Sequence, residues 1–501
     1  MTTYIPQMPQ TITDPPKPQT IHLLLLLLLL PGQACATTEI TVHRADYDGC
    51  VLLVIDGLGG AYCYPELTPR ALDNSTLRKA DCANILAIAE SGMRVIDVRA
   101  PVTSTLPGHS VIVTGRSDAT PNTVSGKTTI FDIAHENGYF CAGVMENGDF
   151  REMCDELDII LHIRKNSIKN PGISINTSPY GHEDLSQNVG ALMDEWSNIT
   201  EYLGDKEGAP RYVAYNRWAV DAADAVIKNL CESDVPFLLI INLAAVDSAG
   251  HHLGASGYLE VINGTDDTIP RLYRRCADHN LLFVVTADHG MGFATSDAAH
   301  GGHVSDKYAK YPESQQILLV FSGIGIGRGV IAAAGQEDIA PTILCQMELP
   351  AVSYDSSCDG RPLPVGRYAD LRVTTGSDAD VWLRGCDEVV RGTSDSEFIF
   401  KGLGVGCNYT IRVTRDGKVD EHEMFFDSAC VVDYSALGAF SVAADTSEAG
   451  EDEEEEYQAD SADGTGGGSG TETYTKILRI AIPIIIINLV GIFLIIKIMR
   501  E

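Results

Sequence analysis

From Leu281 to His303 the chain reads LLFVVTADHGMGFATSDAAHGGH. Five apolar residues, Leu281 to Val285, run directly into Thr286-Ala287-Asp288-His289-Gly290. A continuous apolar run of this kind fits a strand buried on both faces, as in a parallel sheet, that ends by presenting polar side chains at its carboxyl edge. Ligands of open α/β sheets bind at that edge. Asp288 and His289 stand side by side, and His300-Gly301-Gly302 follows. One carboxylate and two imidazoles form a ligand set that suits zinc. The stretch therefore predicts a metal centre at the edge of an α/β sheet.

Other strand ends carry similar chemistry. The apolar run Cys50 to Ile55 leads into Asp56-Gly57-Leu58-Gly59-Gly60, an acid followed by glycines that let the backbone turn sharply. Taken alone, an Asp-Gly pair is more often only a turn. The strand Pro236 to Leu243 leads into Asp247 and His251, four residues apart. Expected helices at Asp81 to Ser91, Thr128 to Asn137, Arg211 to Asn229 and Glu337 to Met347 alternate with strands at Arg94 to Val98, Phe140 to Val144, Asp158 to Ile163 and Ile317 to Phe321. That alternation predicts a mostly parallel sheet flanked by helices. Residues 164–210 are less periodic and predict loops or an inserted cap beside the site. In Thr103-Ser104-Thr105-Leu106-Pro107-Gly108-His109-Ser110, a hydroxyl at a helix start is ordinarily a cap, but the same position favours an alkoxide and an incoming phosphate. Gly126-Lys127-Thr128 is not a nucleotide loop, because Pro121 stands where that motif needs glycine. From Leu371 to Tyr434 short strand-like segments separated by Gly and Asp predict a small β-sandwich-like domain.

The chain of 501 residues has a formal charge of -33, which argues against a nucleic-acid partner. Eight leucines at 23–30, followed by Ala34-Cys35-Ala36, have the form of a secretory signal cleaved after Ala36. Five N-x-S/T sequons, at Asn74, Asn176, Asn198, Asn263 and Asn408, suit an exported chain. Loss of the signal leaves twelve of the 13 cysteines, with no C-x-x-C and no spacing that fixes a pairing. Residues 441–473 are acidic and then Gly/Ser-rich, as in a self-repelling linker. The uncharged run Ile480 to Ile496, flanked by Lys476, Arg479, Lys497 and Arg500, would cover about 26 Å as a helix, enough to span a membrane. The expected organisation is a signal peptide (1–36), a catalytic domain (37–365), a small β domain (366–436), a linker (437–475) and a transmembrane helix (476–498). The catalytic domain would then lie outside the cell on a single-pass anchor.

Taken together, Asp56, Thr105, Asp247, His251, Asp288, His289 and His300 resemble the site of the alkaline phosphatase superfamily. The resemblance covers roughly Cys50 to Leu363, including Asp338-Ile339-Ala340-Pro341-Thr342 and Asp359-Gly360-Arg361-Pro362-Leu363. Ala287-Asp288-His289-Gly290-Met291 through His303-Val304-Ser305-Asp306 looks most like GPI ethanolamine phosphate transferases, in the phosphodiesterase and phosphotransferase branch. The resemblance implies two divalent metal ions, zinc or alternatively manganese. Asp247, His251 and His300 would hold one; Asp56, Asp288, His289 and the Thr105 oxygen would hold the other. His303 is the alternative to His300, and Thr105 the nucleophile toward a phosphodiester or phosphomonoester. It further implies Lys127 and Asn147 as phosphate contacts, and a lipid or glycan as acceptor. Thr105 and His109 stand where sulfatases keep a Cys or Ser and an Arg, which counts against sulfatase activity. A phosphoglycerate mutase-like or sulfatase-like member of the superfamily, and a non-catalytic surface glycoprotein on the same scaffold, are the alternatives.

Overall fold

A computed structural model describes residues 37–444, apart from 44–45, 148–149, 165–166, 350–357, 387, 428 and 436–440. The expected signal peptide and membrane span lie outside the described residues, and so does the expected linker except for Ser441–Ala444, which forms a strand antiparallel to Cys430–Asp433 rather than linker. Among the described residues no helix is long and apolar enough to cross a membrane.

Nine strands form the main sheet, in the order Gly329–Gly335, Met93–Arg99, Gln316–Ser322, Leu281–Thr286, Gly49–Ile55, Phe237–Leu243, Phe140–Met145, Ile159–Ile163 and Ile173–Thr177. At its centre Gly49–Ile55 pairs in parallel with both Phe237–Leu243 and Leu281–Thr286. All three strands are buried at every position. Their Val, Leu and Ile side chains each contribute about 1.5–3 kcal/mol through removal from water. Helices are needed to carry the chain back between parallel strands. Ala209–Leu230 supplies one before Phe237–Leu243, and Ala245–Asp266 with Ile269–Asp278 supplies the next return. Arg271 and Arg275 both clamp Asp224 at 3.0 and 2.9 Å, tying two of these helices together.

The sheet is mixed rather than wholly parallel. Gln316–Ser322 runs antiparallel to both neighbours, and Ile173–Thr177 antiparallel to Ile159–Ile163. The first reversal has a local cause. After Thr286 the chain stays at the carboxyl edge as the loop that carries Asp288, His289 and His303. Gly290 N–H donates to the Ser314 carbonyl at 2.8 Å, so the next strand begins at the edge where the previous one ended. Residues 164–210, expected as loops or an inserted cap, contain the strand Ile173–Thr177 and the helices Glu183–Glu195 and Thr200–Leu203. Within Glu183–Glu195 only Ser186, Val189 and Met193 are buried, a stripe too narrow to stand out in a polar sequence.

Among the described residues the C-terminal β region contributes six strands to one hydrogen-bonded sheet of seven. Its long members Tyr368–Gly385 and Glu388–Gly404 pair with each other and shift register between Thr374 and Asp380. Past that shift Tyr368–Gly385 gains Cys407–Arg415 as neighbour; before it, Cys430–Asp433. Side chains including Leu371, Val381, Phe398, Phe400 and Ile411 gather in a separate core. Thr38–Thr41 joins this sheet beside Phe398–Lys401, although the sequence groups it with the catalytic domain. Two disulfides, Cys63–Cys82 and Cys386–Cys407, have Cα separations of 5.5 and 5.6 Å.

The helix Ala245–Asp266 breaks at Gly254, whose φ of 69° lies in the left-handed region. A Cβ there would lie 2.3 Å from the Ala298 carbonyl, which accepts Ala255 N–H at 3.0 Å. The break thus seats the helix bearing Asp247 and His251 on the loop leading to His303. We predict that Gly254→Ala lowers stability by about 3 kcal/mol, since strain and clash combine. Gly138→Ala, with φ 79° but open space around it, should cost only about 1 kcal/mol. Chemical denaturation midpoints compare the two, and equal shifts would remove the claim.

Candidate metal centre

Asp56 directly follows Gly49–Ile55, and Asp288 and His289 follow Leu281–Thr286. Asp247 and His251 project from one face of Ala245–Asp266, and Thr105 opens the helix Thr105–Thr114. The central strands thus bring residues far apart in sequence to one sheet edge. Gly57, at φ 74°, turns the chain where a Cβ would meet Asp247 Cα at 2.9 Å. Tyr258 holds that turn, its hydroxyl donating to the Gly57 carbonyl at 2.7 Å and accepting from Gly59 N–H at 3.2 Å. The Gln336 amide donates to the Ala287 and Asp288 carbonyls at 3.1 and 2.8 Å and fixes the second loop.

His289 lies between two clusters. Its Nε2 is 3.5 Å from Asp56 Oδ1, 3.4 Å from Asp288 Oδ2 and 3.1 Å from Thr105 Oγ1. The His289 ring stacks on His303 at 3.7 Å. His303 Nε2 lies 3.3 Å from Asp247 Oδ1 and 3.0 Å from His251 Nε2, while His251 Nε2 lies 3.4 Å from the same Asp247 oxygen. Potential ligand atoms of Asp56, Asp288 and His289, and likewise of Asp247, His289 and His303, all fall within 4.8 Å of one another.

The outer hydrogen bonds orient these groups inward. Asp288 Oδ1 accepts from the N–H groups of Gly57 and His289 at 3.1 and 2.9 Å, leaving Oδ2 for the site. His289 Nδ1 faces the Gly290 carbonyl at 3.0 Å and His303 Nδ1 the Thr103 carbonyl at 2.8 Å. Those contacts assign the proton to Nδ1 in both rings and turn the Nε2 lone pair toward the carboxylates, as metal-ligating histidines require. Asp56 Oδ1, Asp247 Oδ1 and Asp288 Oδ2 are buried without a well-formed hydrogen bond. Buried carboxylate oxygens in that state are costly unless a cation meets them. The oxygen and nitrogen donor set fits divalent zinc or manganese.

Electrostatics mark the same strain. Burial, and then the charges of Asp288 and Asp247, push the Asp56 carboxyl well above its usual range. Burial alone would raise Asp288, but the neighbouring His289 and His109 hold it at about 2. Burial would also raise Asp247, yet His251 and His303 beside it bring it below the usual range. Burial lowers His289, whereas contact with Asp247 raises His251. Acidic groups pushed in opposite directions within one small volume are a frequent mark of a functional site.

Seven of the residues singled out in the sequence therefore meet here: Asp56, Thr105, Asp247, His251, Asp288, His289 and His303. His300 does not join them. It is exposed, and its Nδ1 faces the His251 carbonyl at 2.7 Å. Asn147 lines a cavity of about 250 Å³ beside Thr105, together with Asp56, Glu146, Tyr215, Asp247 and Ser248. Lys127 is exposed and is not part of that lining. Three contributors are additional to the sequence reading. His109 lies 3.4 Å from Asp288 Oδ2, Asn242 donates to His109 Nε2 at 3.2 Å, and Gln336 holds the Asp288 loop. The position of His109 four residues after Thr105 was the only sequence signal among them.

Residues 188–304 match the model of the Metalloenzyme superfamily. That match supports membership of this superfamily. It spans Asp247, His251, Asp288, His289 and His303, but stops short of Asp56 and Thr105. A 2,3-bisphosphoglycerate-independent phosphoglycerate mutase from Brugia malayi is similar at 28% identity over 156 residues, 28% of this chain and 26% of that protein. The chain thus spans about a quarter of the length of the curated relatives it matches. Among solved structures, the alkaline phosphatase PafA aligns at TM-score 0.43 and 14% identity over 64% of this chain and 99% of that one. A phosphonate monoester hydrolase from Silicibacter pomeroyi aligns at TM-score 0.41 and 13% identity over 75% and 88%.

The geometry predicts metal stoichiometry and choice of ligand. Elemental analysis of the purified full-length protein should find about two zinc or manganese ions per chain, as expected for paired clusters sharing one edge. His303→Ala should lose at least one of them, whereas His300→Ala should retain both. Full metal content in the His303 variant, with loss in the His300 variant, would reverse the assignment.

Proposed function

We propose that the protein is a metal-dependent enzyme of the alkaline phosphatase superfamily that transfers a phosphoryl or substituted phosphoryl group through Thr105. The observation that carries this reading is the position of Thr105 Oγ1, 3.1 Å from His289 Nε2 at the meeting point of the two carboxylate–imidazole clusters. Asp247, His251 and His303 would hold one metal ion, and Asp56, Asp288 and His289, with the Thr105 oxygen, the other. When bound, such a pair supplies Lewis-acid stabilisation of the attacking and leaving oxygens of an in-line displacement.

The chain's own residues do the rest. Thr105 starts the ten-residue helix Thr105–Thr114, whose first N–H groups favour an incoming anion. Thr105 Oγ1 bonds to phosphorus as the bond to the leaving oxygen breaks, and water or an acceptor alcohol then discharges the phosphothreonine. Thr103 plays a supporting part. Its hydroxyl donates to the His303 carbonyl at 2.6 Å and its own carbonyl meets His303 Nδ1, which together hold His303 in place. His109, with no exposed surface, braces Asp288.

Within the superfamily we assign the chain to the phosphodiesterase and phosphotransferase branch, with GPI ethanolamine phosphate transferases as the nearest type. The run from Ala287 to Asp306 supports this, and a phosphodiester with a lipid or glycan acceptor follows from it. We extend the proposal to an exported protein held by one C-terminal membrane helix with its catalytic domain outside. The Cys63–Cys82 and Cys386–Cys407 bridges support export, because such bonds persist in oxidising compartments.

Substitution of Thr105 tests the central step. With a chromogenic phosphodiester and a monoester, Thr105→Ala should lower turnover by orders of magnitude while leaving the fold intact. Ser110→Ala and Ser104→Ala should retain most of it, since Ser110 hydrogen-bonds only back to the Leu106 carbonyl and Ser104 makes no side-chain cap bond. Near-normal turnover in Thr105→Ala, combined with its loss in Ser104→Ala, would show that the nucleophile has been misplaced.

A further inference from the structure

Gly329–Gly335 closes one side of the main sheet, with Met93–Arg99 as its neighbour in unbroken parallel register. Among the described residues no strand pairs with its other side. A bare strand edge offers its N–H and C=O groups to any second strand, and proteins ordinarily block it with charge, proline or a bulge. This edge has none of those. Its seven residues read GVIAAAG, without a charge or a proline, in a chain of formal charge -33. Gly329, Val330, Ala332 and Ala333 are exposed, Val330 by 55%. By contrast Lys418–Phe426, the long edge of the C-terminal sheet, carries Lys418, Asp420, Glu421 and Glu423.

The two ends of the strand differ in charge. Arg328, just before it, is exposed and makes no ion pair among the described residues. At the other end the Glu337 carboxylate rests against Gly335, leaving no room there for a Cβ. Burial raises the Glu337 carboxyl above its usual range, and the charges of Asp338 and Asp359 add to that rise. Asp338 is already engaged, accepting the N–H groups of Gly335 and Arg361, both at 2.8 Å. Glu337 has no cationic partner among the described residues.

We infer that this edge is the contact between two copies of the chain: Gly329–Gly335 pairs antiparallel with its own counterpart about a two-fold axis at Ala332, joining two nine-stranded sheets into one. Such a pairing is closed and self-complementary. Val330 of each copy stands opposite Ala334 of the other, and Ile331 opposite Ala333, so each bulky side chain meets a small one on the same face. The Arg328 end of one copy meets the Glu337 end of the other, and the two-fold axis makes that match twice. Lys418–Phe426 is unsuited to the same pairing, since about His422 it would set Glu421 against Glu423, and like charges directly opposite destabilise a ladder. One short strand from each copy makes a seam small beside the roughly 1,600 Å² of a standard interface, so the dimer is reversible and dissociates in about the micromolar range.

Sedimentation velocity of the full-length protein in detergent, over roughly 1–100 μM, should show a monomer that gives way to a dimer and to nothing larger. Ala332→Lys sets two lysines against each other at the axis and should weaken association by about tenfold or more. Ala332 is exposed, so the denaturation midpoint should not move. Arg328→Glu should weaken association by about three- to tenfold, and Glu337→Arg added to it should restore much of the loss. Register is read by crosslinking under mild oxidation. The Cβ atoms of Ala332 in the two copies would lie about 5 Å apart, within reach of a disulfide after a small shift. Ala332→Cys should therefore give a covalent dimer above the wild-type background. Val330→Cys should not, because the two copies of that position lie about 13 Å apart along the ladder. If the double charge variant does not fold, the two cysteine variants still decide. A crosslink through Val330→Cys in place of Ala332→Cys, or growth into open-ended oligomers, overturns the inference. So does a wild type that stays monomeric to about 100 μM with Ala332→Cys uncrosslinked, which would mean that the edge is left bare or is covered by another part of the same chain.

Discussion

Three carboxylates, Asp56, Asp247 and Asp288, converge in a buried volume where each leaves one oxygen without a well-formed hydrogen bond. Left to themselves such groups repel one another and resist burial. The surrounding structure is arranged to hold them there. Backbone N–H groups grip the second oxygen of Asp288, the left-handed Gly57 lets the chain just after Asp56 pass close to Asp247, and two carbonyls fix the tautomers of His289 and His303. The cost of this convergence is met by the apolar strands beneath it, buried along their whole length. Scaffold and site are thus two sides of one balance: a rigid, dry sheet edge is what allows negative charge to be concentrated until a cation is the natural counterpart.

The division of labour between inner and outer residues follows from the same balance. In Asp288, His289 and His303 one atom faces the clusters, and groups behind them take up the other. Thr103 and His303 do this reciprocally, each contacting the other's backbone carbonyl. Asn242 and Gln336, both fully buried, work at one remove through His109 and the Asp288 loop. Glu146 has the same half-satisfied character as Asp56, Asp247 and Asp288 but stands outside their clusters.

Much of this was legible in the sequence, for a physical reason. Strands buried on both faces must be nearly continuous in apolar residues, so the runs ending at Ile55, Leu243 and Val285 declared themselves, and the polar residues just beyond them marked the sheet edge. Asp56, Asp247, His251, Asp288 and His289 were found in that way, whereas Thr105 was read as a hydroxyl at a helix start and given its role by the family resemblance. The choice between His300 and His303 was not legible, because a glycine-rich loop leaves the direction of its side chains to tertiary contacts. The contacts of His303 with Asp247 and His251, and the bond from its Nδ1 to Thr103, show that it is the one turned inward. The helix Glu183–Glu195 was hidden by its narrow apolar stripe, and the reversed strand Gln316–Ser322 by the fact that periodicity carries no direction. Gln336 and Asn242 were silent because an amide that supports a loop has no characteristic spacing.

The pairing of Thr38–Thr41 with Phe398–Lys401 has a bearing on assembly. Thr37 Oγ1 donates to Glu397 across 360 positions of sequence, so the earliest described strand finds its neighbour only after the whole α/β region has been made. Closing so long a span is entropically unfavourable until other contacts have brought its ends together. In vectorial synthesis or export, the leading strand must therefore wait unpaired while the α/β sheet forms behind it. The pairing of this strand is then a late seam, which makes the α/β sheet a precondition for the C-terminal sheet's completion and gives the emerging strand a long interval in which its edge needs protection.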